Sequence, residues 1–307
     1  MISAVDLFAG LGGFSEAAKI AGIKVVWAAN HWPTAVEWHA ANHPNAIHAC
    51  QDLHQANWST VPAHDLLLAA PCCQGHTKAR GKGAGNPQHD ASRSTAWAVV
   101  SAIEYHRPEV AIVENVPEFL NWSLYPAWSQ AMHALGYQLA PHIVDCADLG
   151  VPQNRVRLFL VCTRSRAPLY LQLQQRPHVP ASSFINFDAG RWSQIDKPGR
   201  AASTLIRVKN GRESFGERFI MPYYGSGSGL TGRDLNRPIG TITTRDRWAV
   251  VDGDRMRMID ADEVLRAMSF PENTRRPASS RLTVHMAGNA VPPVAGSEII
   301  LAVKAAA

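Results

Sequence analysis

The chain has 307 residues, of which 46% are hydrophobic, and carries a formal net charge of +5 at pH 7. This length and composition can form a sizeable buried core, enough for one large domain and a smaller one. No apolar run approaches the ~18 residues of a membrane span, and the N-terminal segment MISAVDLFAG lacks the basic start of a signal peptide. We therefore expect a soluble, cytoplasmic protein with no membrane partner.

The five cysteines include the neighbours Cys72 and Cys73, whose disulfide would close a strained ring. No two cysteines have the C-x-x-C spacing of a structural zinc site. Free thiols in a reducing compartment, and no bound metal, are the expectation.

Basic residues are concentrated in the central part of the chain. Residues 164–255 contain 15 Lys or Arg and 8 Asp or Glu, a net charge of +7, whereas the remainder contains 15 basic and 17 acidic residues, a net charge of −2. An excess of positive charge confined to one segment suggests that a polyanion binds there.

The first 163 residues alternate apolar runs of strand length with amphipathic stretches. In chain order the pairs are ISAVDLFAG with FSEAAKIAG, KVVWAAN with PTAVEWHAANH, HDLLLAA with STAWAVVSAIEYH, and EVAIVENV with YPAWSQAMHALG. This order predicts a parallel sheet with helices on both faces. The next two runs, YQLAPHIVDCADLG and RVRLFLVCTR, have no helix between them and suggest an antiparallel edge hairpin.

From residue 164 the chain changes to loops and short β-like pieces rich in Pro, Gly and Ser. Helical periodicity returns in DADEVLRAMSF and GNAVPPVAGSEIILAVKAAA. We therefore expect an α/β domain over 1–163, an irregular β-rich domain over 164–255, and a C-terminal segment over 256–307 that returns to the first domain.

Gly10, Gly12 and Gly13 lie in the turn between the first strand and the first helix. Without side chains they let a ligand approach backbone N–H groups at the helix N-terminus. The third glycine of a dinucleotide fingerprint would fall at Ser15. The turn is therefore either a site for a nucleotide-like ligand or a tight strand-to-helix connection.

The segment APCCQGHT follows the apolar strand DLLLAA, at the end of the strand where ligands bind in such sheets. A cysteine there is either a packed small residue or a nucleophile. Glu114 and Asn115 end a later strand and would bring a carboxylate to the same edge. A thiol beside a carboxylate fits a nucleophile that adds to an electron-poor ring while the acid holds or protonates a ring nitrogen.

Gln153, Arg155 and Arg157 occupy alternate positions of the β-like run PQNRVRLFLV. Alternate residues of a strand share one face, so we expect these three side chains to point the same way. They form either a solvated strand edge or a surface for an anionic or carbonyl-rich ligand.

Together these stretches resemble the C5-cytosine DNA methyltransferases. DLFAGLGGFS is similar to that family's cofactor loop, CQGHT to its nucleophile loop, ENV to its glutamate motif, PQNRVR to its Gln-x-Arg-x-Arg motif and GNAVPP to its C-terminal motif. The resemblance covers nearly the whole chain. It implies a Rossmann-like S-adenosylmethionine-dependent methyltransferase sheet over 1–163 and a target-recognition domain over 164–255.

The resemblance implies a catalytic set that consists of Cys73, Glu114, Arg155 and Arg157. Cys73 precedes Gln74 and would be the nucleophile, while Cys72 stands where the family usually has a proline. Glu114 would hold or protonate N3 of the target cytosine, and the two arginines would position the base.

S-adenosylmethionine is the implied cofactor, and its expected contacts are Phe8, Gly10, Gly12, His31, Trp32, Asp52, Asn289 and Val291. Phe8 and Trp32 would lie by the adenine, and Asp52 would receive the adenine amino group. His31 stands where the family usually has an acidic residue that accepts hydrogen bonds from the ribose. We therefore expect that contact to be weaker here.

The implied substrate is a cytosine flipped out of double-stranded DNA. The expected DNA contacts are Gln74, Thr204, Leu205, Arg207, Lys209 and Arg212. Thr204 and Leu205 are similar to the family's Thr-Leu recognition element, and the alternative is a surface loop.

We further expect a monomer encoded by a bacterium or phage, and the sequence leaves open whether a restriction endonuclease is its counterpart. Two other functions remain open. An RNA-directed member of the family would share every catalytic motif and differ in the central domain. A catalytically silent DNA-binding relative would lack a catalytic group, and the intact Cys73, Glu114 and Arg155 argue against it.

Overall fold

The computed structural model describes residues 2–72, 95–223, 231–244 and 248–306. The chain forms two compact units, of which the first contains Met1–Asp145, Val156–Gln174 and Val291–Ala307, and the second contains Cys146–Arg155 and Gln175–Ala290. These limits differ from the boundaries read from the sequence. Residues 256–290 belong to the second unit, and the chain returns to the first unit only at Val291.

A seven-stranded sheet forms the frame of the first unit, in the order β3-β2-β1-β4-β5-β7-β6. Its strands are β1 Ser3–Leu7, β2 Lys24–Asn30, β3 Ile47–Cys50, β4 Leu66–Ala69, β5 Val110–Asn115, β6 Gln138–Asp145 and β7 Val156–Thr163. The first five are parallel, and β7 runs antiparallel to both β5 and β6. The predicted parallel sheet and its edge hairpin are confirmed. The short strand β3 is one that the sequence pattern did not reveal.

The helices in the described part of the chain are α1 Gly13–Ile20, α2 Pro33–Asn42, α3 Ala96–His106, α4 Tyr125–Ala134, α5 Ala202–Phe215, α6 Ala261–Ala267, α7 Ser280–Asn289 and α8 Pro293–Ala306. α1 starts after Gly12, whose φ of 97° is a conformation that glycine adopts readily. α2 starts at Pro33, whose ring fixes a helical φ at the first position of the helix. Each helix therefore begins after a short turn that follows a strand end.

The core of the first unit lies between the sheet and its helices. Leu7, Leu67 and Val113 of the central strands belong to one apolar cluster with Ile103 of α3 and Trp128 of α4. All four residues of β4 are buried, which explains its uninterrupted apolar sequence. This packing holds the carboxyl ends of β1, β4 and β5 in fixed positions at one edge of the sheet.

The last helix, α8, packs against α1 in the first unit. A Cβ on Gly296 would lie 2.9 Å from the Cβ of Ala17, so the two helices approach closely. The stretch Ser280–Ala306 is long and apolar enough to cross a membrane, but 72% of its apolar window is buried within the protein. It is divided into α7 and α8 by residues 290–292, and its burial is that of core helices.

The second unit contains a four-stranded antiparallel sheet in the order β8-β11-β10-β9. Its strands are β8 Ser193–Gln194, β9 Arg218–Pro222, β10 Trp248–Asp252 and β11 Arg255–Met258. Phe219 and Met221 of β9, Val251 of β10 and Met256 of β11 form the core with Val208 of α5. A separate small β-rich unit is therefore confirmed.

Helix α5 corrects the expectation that this region contains only loops and short β-like pieces. No side chain caps the N-terminus of α5, and Gly211 lies within it, so its local signals are weak. A Cβ on Gly211 would lie only 2.2 Å from the Phe219 ring. Packing on the sheet, which requires glycine at this point, stabilises the helix more than its local propensity does.

Candidate active site

The turn between β1 and α1 approaches its neighbours closely. Phe8, Gly10 and Gly12 have φ values of 61°, 55° and 97°. A Cβ on Gly13 would lie 2.0 Å from the carbonyl oxygen of Val291, so only glycine fits there. A Cβ on Gly10 would meet nothing in the described residues nearer than the Phe8 carbonyl oxygen, at 3.8 Å. The turn can therefore admit a ligand beside Gly10.

His31, Trp32 and Asp52 follow the carboxyl ends of β2 and β3. The Gln51 amide donates to the Asn30 carbonyl at 3.1 Å, which keeps these two strand ends together. His31 and Asp52 are exposed, and Trp32 is half-buried. Because β3, β2 and β1 are neighbours in the sheet, these side chains lie at the same edge as the glycine turn.

The backbone of Asp52 and its side chain are held in place by local hydrogen bonding. Oδ1 of Asp52 accepts from the His54 amide at 3.0 Å, at the start of a short 3₁₀ turn. Asp52 as a whole is exposed. Asn289, by contrast, is an exposed residue at the end of α7 in the second unit.

Cys73 and Gln74 lie outside the described residues, but the segment that leads to them is tied to the end of β5. Nδ2 of Asn115 donates to the Pro71 carbonyl at 3.1 Å. The Cys72 amide donates to Oγ1 of Thr95, also at 3.1 Å. Asn115, the neighbour of Glu114, therefore ties the end of β5 to the segment after β4. In the sequence, this residue was marked by its position at a strand end and by the ENV motif.

Glu114 forms a buried ion pair with Arg157. Nε of Arg157 lies 3.1 Å from Oε1 of Glu114, and the two side chains are 13% and 9% exposed. Glu114 stands opposite Phe159 in the β5–β7 ladder, so Arg157, two residues away, is its diagonal neighbour on the same face. The guanidinium orients the carboxylate and stabilises its negative charge.

The expectation that Gln153, Arg155 and Arg157 share one strand face is wrong. β7 begins at Val156, and the Gln153 amide donates to the Val151 carbonyl at 2.7 Å, so the chain turns where alternation was assumed. Only Arg157 lies in the strand. The alternative of a solvated strand edge is also wrong for Gln153 and Arg155, which are 0% and 2% exposed.

Gln153 and Arg155 connect segments of the second unit. Nη1 of Arg155 donates to the Ile242 carbonyl at 3.0 Å. Its Nη2 donates to the carbonyl oxygens of Gly288 at 2.8 Å and Ala290 at 3.3 Å. Oε1 of Gln153 accepts from the Ile242 amide at 3.0 Å. Arg155 therefore clamps the end of α7 to the segment around Ile242.

Comparison with known proteins identifies the family. The family model of C-5 cytosine-specific DNA methylases matches residues 2–186. The chain belongs to this family. The type II methyltransferase M.HgiDI of Herpetosiphon aurantiacus is 32% identical over 298 residues, which cover 94% of this chain and 89% of that protein. M.HhaI of Haemophilus parahaemolyticus is 32% identical over 166 residues, which cover 52% of this chain and 49% of that protein.

The chain thus matches only about half the length of M.HhaI, and the match to M.MspI of Moraxella sp covers 66% of that relative. Solved structures share the fold. The methyltransferase EhMeth of Entamoeba histolytica has a TM-score of 0.70 at 14% identity, covering 98% of this chain and 97% of that one. The S. pombe Dnmt2 methyltransferase has a TM-score of 0.66 at 16% identity, again covering 98% and 97%.

Among the described cysteines, Cys50, Cys72 and Cys162 are free thiols. Cys162 lies in the core of the sheet, and burial raises the pKa of its thiol, so it is unsuited to nucleophilic attack. Cys72 is half-buried where β4 leads out to the sheet edge. It is the described thiol nearest in sequence to the expected nucleophile.

The expected DNA contacts on α5 have different environments. Thr204 and Arg207 are 3% and 8% exposed. Arg212 donates to the Gly253 carbonyl at 2.7 Å and to Oδ1 of Asp254 at 2.8 Å. Leu205 is 38% exposed, and the Lys209 side chain is 76% exposed. The alternative of a surface loop is wrong, because the whole segment is helical.

Proposed function

We propose that this methylase transfers a methyl group from S-adenosylmethionine to C5 of a cytosine in double-stranded DNA. The observation that carries the proposal is the buried Glu114–Arg157 pair at the end of β5. β5 pairs with β4, the strand that leads to Cys73. An oriented carboxylate on the neighbouring strand is what a base-holding group beside a nucleophile requires.

Cytosine C5 is a weak nucleophile, so the Cys73 thiolate first adds to C6 and the electron pair of the C5–C6 double bond moves to C5. Glu114 holds or protonates N3 and so stabilises the electron density pushed into the ring, and Arg157 orients the carboxyl group for this role. When bound, S-adenosylmethionine would supply an electrophilic methyl group to C5, and its sulfur would keep the electron pair of the broken S–CH3 bond. The C5 proton is then lost, its bonding pair restores the double bond, and Cys73 leaves as a thiolate.

The residues at the sheet edge fit S-adenosylmethionine. The open approach beside Gly10 suits the methionine portion, and the half-buried ring of Trp32 offers an apolar surface to the adenine. Asp52 presents an acceptor for the adenine amino group. His31 offers the ribose one acceptor nitrogen in its neutral form, whereas a carboxylate would offer two oxygens.

The target cytosine has to leave the base stack to reach Cys73, at a cost of a few kcal/mol. We propose that residues 164–255 supply the recognition surface that offsets this cost, and that Leu205 and Lys209 are among the exposed α5 side chains that contact DNA. Arg207 and Arg212 contribute through the packing of the helix. Residues 256–307 would complete both units, with Arg155 holding the end of α7.

We also propose that the protein acts in the cytoplasm as a monomer. The names of the relatives, as type II methyltransferases, support a restriction endonuclease counterpart with the same target sequence. Bisulfite sequencing of DNA from cells that express the protein would identify that sequence.

The test is methyl transfer by two cysteine variants. Cys73→Ser should abolish transfer to duplex DNA, while Cys72→Ala should retain most of it. A duplex containing 5-fluorocytosine should form a covalent adduct at Cys73, because the fluorine at C5 cannot leave as a proton. An adduct mapped to Cys72 would contradict the mechanism as written, and transfer to transfer RNA but not to DNA would contradict the substrate.

A further inference from the structure

A chain of buried hydrogen bonds lies beneath the glycine turn and connects four elements. Oγ of Ser15 donates to Oδ2 of Asp6 at 2.7 Å and lies 3.0 Å from Nε2 of His39. Nδ1 of His39 lies 2.8 Å from Nε2 of His48. Asp6, Ser15 and His39 are each 1% exposed. We call Asp6, Ser15, His39 and His48 the histidine relay.

The hydrogens of the relay follow from the number that each group carries. A carboxylate only accepts, and the Ser15 hydroxyl has one hydrogen, which it donates to Asp6. Its oxygen must therefore accept from Nε2–H of His39. Nδ1 of a neutral His39 is then an acceptor, and Nε2–H of His48 donates to it. All donors in the relay point towards Asp6.

The relay joins the segments that carry the expected cofactor contacts. Asp6 and Ser15 flank the turn of Gly10 and Gly12, His39 lies on α2, and His48 lies on β3. α2 begins directly after His31 and Trp32, and β3 ends just before Asp52. One hydrogen-bonded chain therefore connects three of the first unit's segments that would surround the cofactor.

The glycine turn also rests directly on histidine rings. A Cβ on Gly12 would lie 2.6 Å from Nε2 of His43 and 3.2 Å from Cδ2 of His39. The rings of His39 and His43 are 4.7 Å apart between centroids. A change in the position of the His39 ring would therefore be transmitted to Gly12 by contact as well as through Ser15.

Burial and neighbouring charges favour the neutral forms of His43, beside the relay, and of His48. Burial, and then the neighbouring His39 and Lys19, lower the pKa of His43 to about 3. Burial and His39 also lower the pKa of His48. Lys19 itself is paired with Glu16 at 3.1 Å. Within the described residues, no group of three His, Cys, Asp or Glu side chains is placed to hold a metal ion.

We propose that His39 is a positioning residue for the cofactor site, which acts through Ser15 on the glycine turn and through His48 on the end of β3. It touches neither cofactor nor DNA. The relay sets the affinity for S-adenosylmethionine and leaves the methyl-transfer step unchanged. This inference rests on the proposed function, since it assigns a role towards the same cofactor.

The test compares variants by calorimetric binding of S-adenosylmethionine and by steady-state kinetics. His39→Phe keeps a ring but removes both nitrogens, and it should weaken binding about tenfold, which corresponds to about 1.4 kcal/mol. KM for the cofactor should rise by the same factor, with kcat at saturation little changed. His39→Gln, which can still donate to Ser15, should recover most of the affinity.

Two further variants distinguish the effect of losing the relay's hydrogen bonds from the effect of altering a half-buried side chain elsewhere. Ser15→Ala removes the hydroxyl without adding volume and should weaken binding in the same way. His142→Phe replaces another half-buried histidine, on β6 at the opposite edge of the sheet, and should leave binding unchanged. Imidazole ¹⁵N spectra of the wild-type protein should show His39 protonated at Nε2, and protonation at Nδ1 would contradict the relay.

The outcomes distinguish this inference from the proposed function. If the wild-type protein binds S-adenosylmethionine and both His39→Phe and Ser15→Ala bind it equally well, the relay has no positioning role and the proposed function stands. If the wild-type protein binds no S-adenosylmethionine, both fail. A parallel loss of kcat in His39→Phe would also overturn the inference, because the relay would then act on the chemical step.

Discussion

The two units of the methylase use buried arginine in different ways. In the first, Arg157 holds the carboxylate of Glu114 at the sheet edge, where a substrate would need it. In the second, Arg155 donates to main-chain carbonyls, and Arg257 forms a bidentate pair with Glu263 at 2.7 and 2.6 Å. Arg155 and Arg157 are two residues apart, yet one binds main-chain carbonyls and the other a side-chain carboxylate.

Arginines on the surface of the second unit also bond to groups within that unit. Arg218 and Arg255 both bond to Asp252, at 2.6 Å each, and Arg212 bonds to Asp254 at 2.8 Å. Three of the fifteen basic side chains counted in this segment are therefore held by carboxylates of the same unit. Net charge identifies a segment that can attract a polyanion, but only the contacts show which cations remain available.

The largest effect is expected at the pair in the first unit. Glu114→Gln removes the charge that holds a protonated N3 and leaves Arg157 without its carboxylate. Methyl transfer should fall by about 10²–10⁴-fold, the usual contribution of such a group. Single-turnover methyl transfer to a duplex measures it.

Glu109→Gln is the matched control. Glu109 also pairs with an arginine, Arg164 at 3.4 Å, but its side chain is 72% exposed. Activity within twofold of the wild type is expected. Equal activities of the Glu114 and Glu109 variants would remove Glu114 from the catalytic set.

The next effect concerns the buried pair of the second unit. The Glu263 side chain is 0% exposed, and it accepts from Arg257 and from the amides of Asn186 and Asp260. Glu263→Gln leaves the buried guanidinium without a counter-charge. The free energy of unfolding, measured by urea denaturation, should fall by about 3–5 kcal/mol.

Asp262→Asn is the surface counterpart, since Asp262 pairs with Arg276 while its side chain is 59% exposed. This substitution should lower the free energy of unfolding by less than about 1 kcal/mol. The Arg276 hydrogen bond lowers the pKa of Asp262. The stability from this pair is therefore present above the ordinary carboxyl pKa and is lost as pH falls through the lowered value, and Asp262→Asn should remove that part of the pH dependence.

A smaller effect, on the salt dependence of DNA affinity, should distinguish Lys209 from Arg212 on α5. Lys209→Ala should flatten the dependence of log affinity on log salt by about one unit, because one phosphate contact is lost. Arg212→Ala should leave the salt slope unchanged and lower thermal stability, since Arg212 bonds within its own unit. Fluorescence anisotropy across a salt series measures the slopes. The opposite pattern would show that Arg212 releases Asp254 to bind DNA.

The smallest effect is expected at the cofactor ribose. His31→Glu restores an acidic acceptor, and charge-assisted hydrogen bonds exceed neutral ones by about 1 kcal/mol. Binding of S-adenosylmethionine should tighten about fivefold on calorimetry. Unchanged affinity would mean that residue 31 points away from the ribose.

The sequence by itself determined the framework of the first unit. Alternating apolar runs and amphipathic stretches predicted the parallel sheet, and strand ends predicted where Glu114 and the glycine turn lie, because parallel strands present their carboxyl ends at one edge. These features depend on local periodicity and on a general rule of topology. They can be read without knowing any long-range contact.

Only the tertiary structure decided which side chains meet. The pairing of Glu114 with Arg157 follows from the register of β5 with β7, and the clamp of Arg155 follows from a turn that breaks strand alternation. Helix α5 depends on the fit of Gly211 against Phe219, and the histidine relay joins residues from β1, α1, α2 and β3. Each of these contacts depends on register and packing between distant segments, about which the periodicity of one segment carries no information.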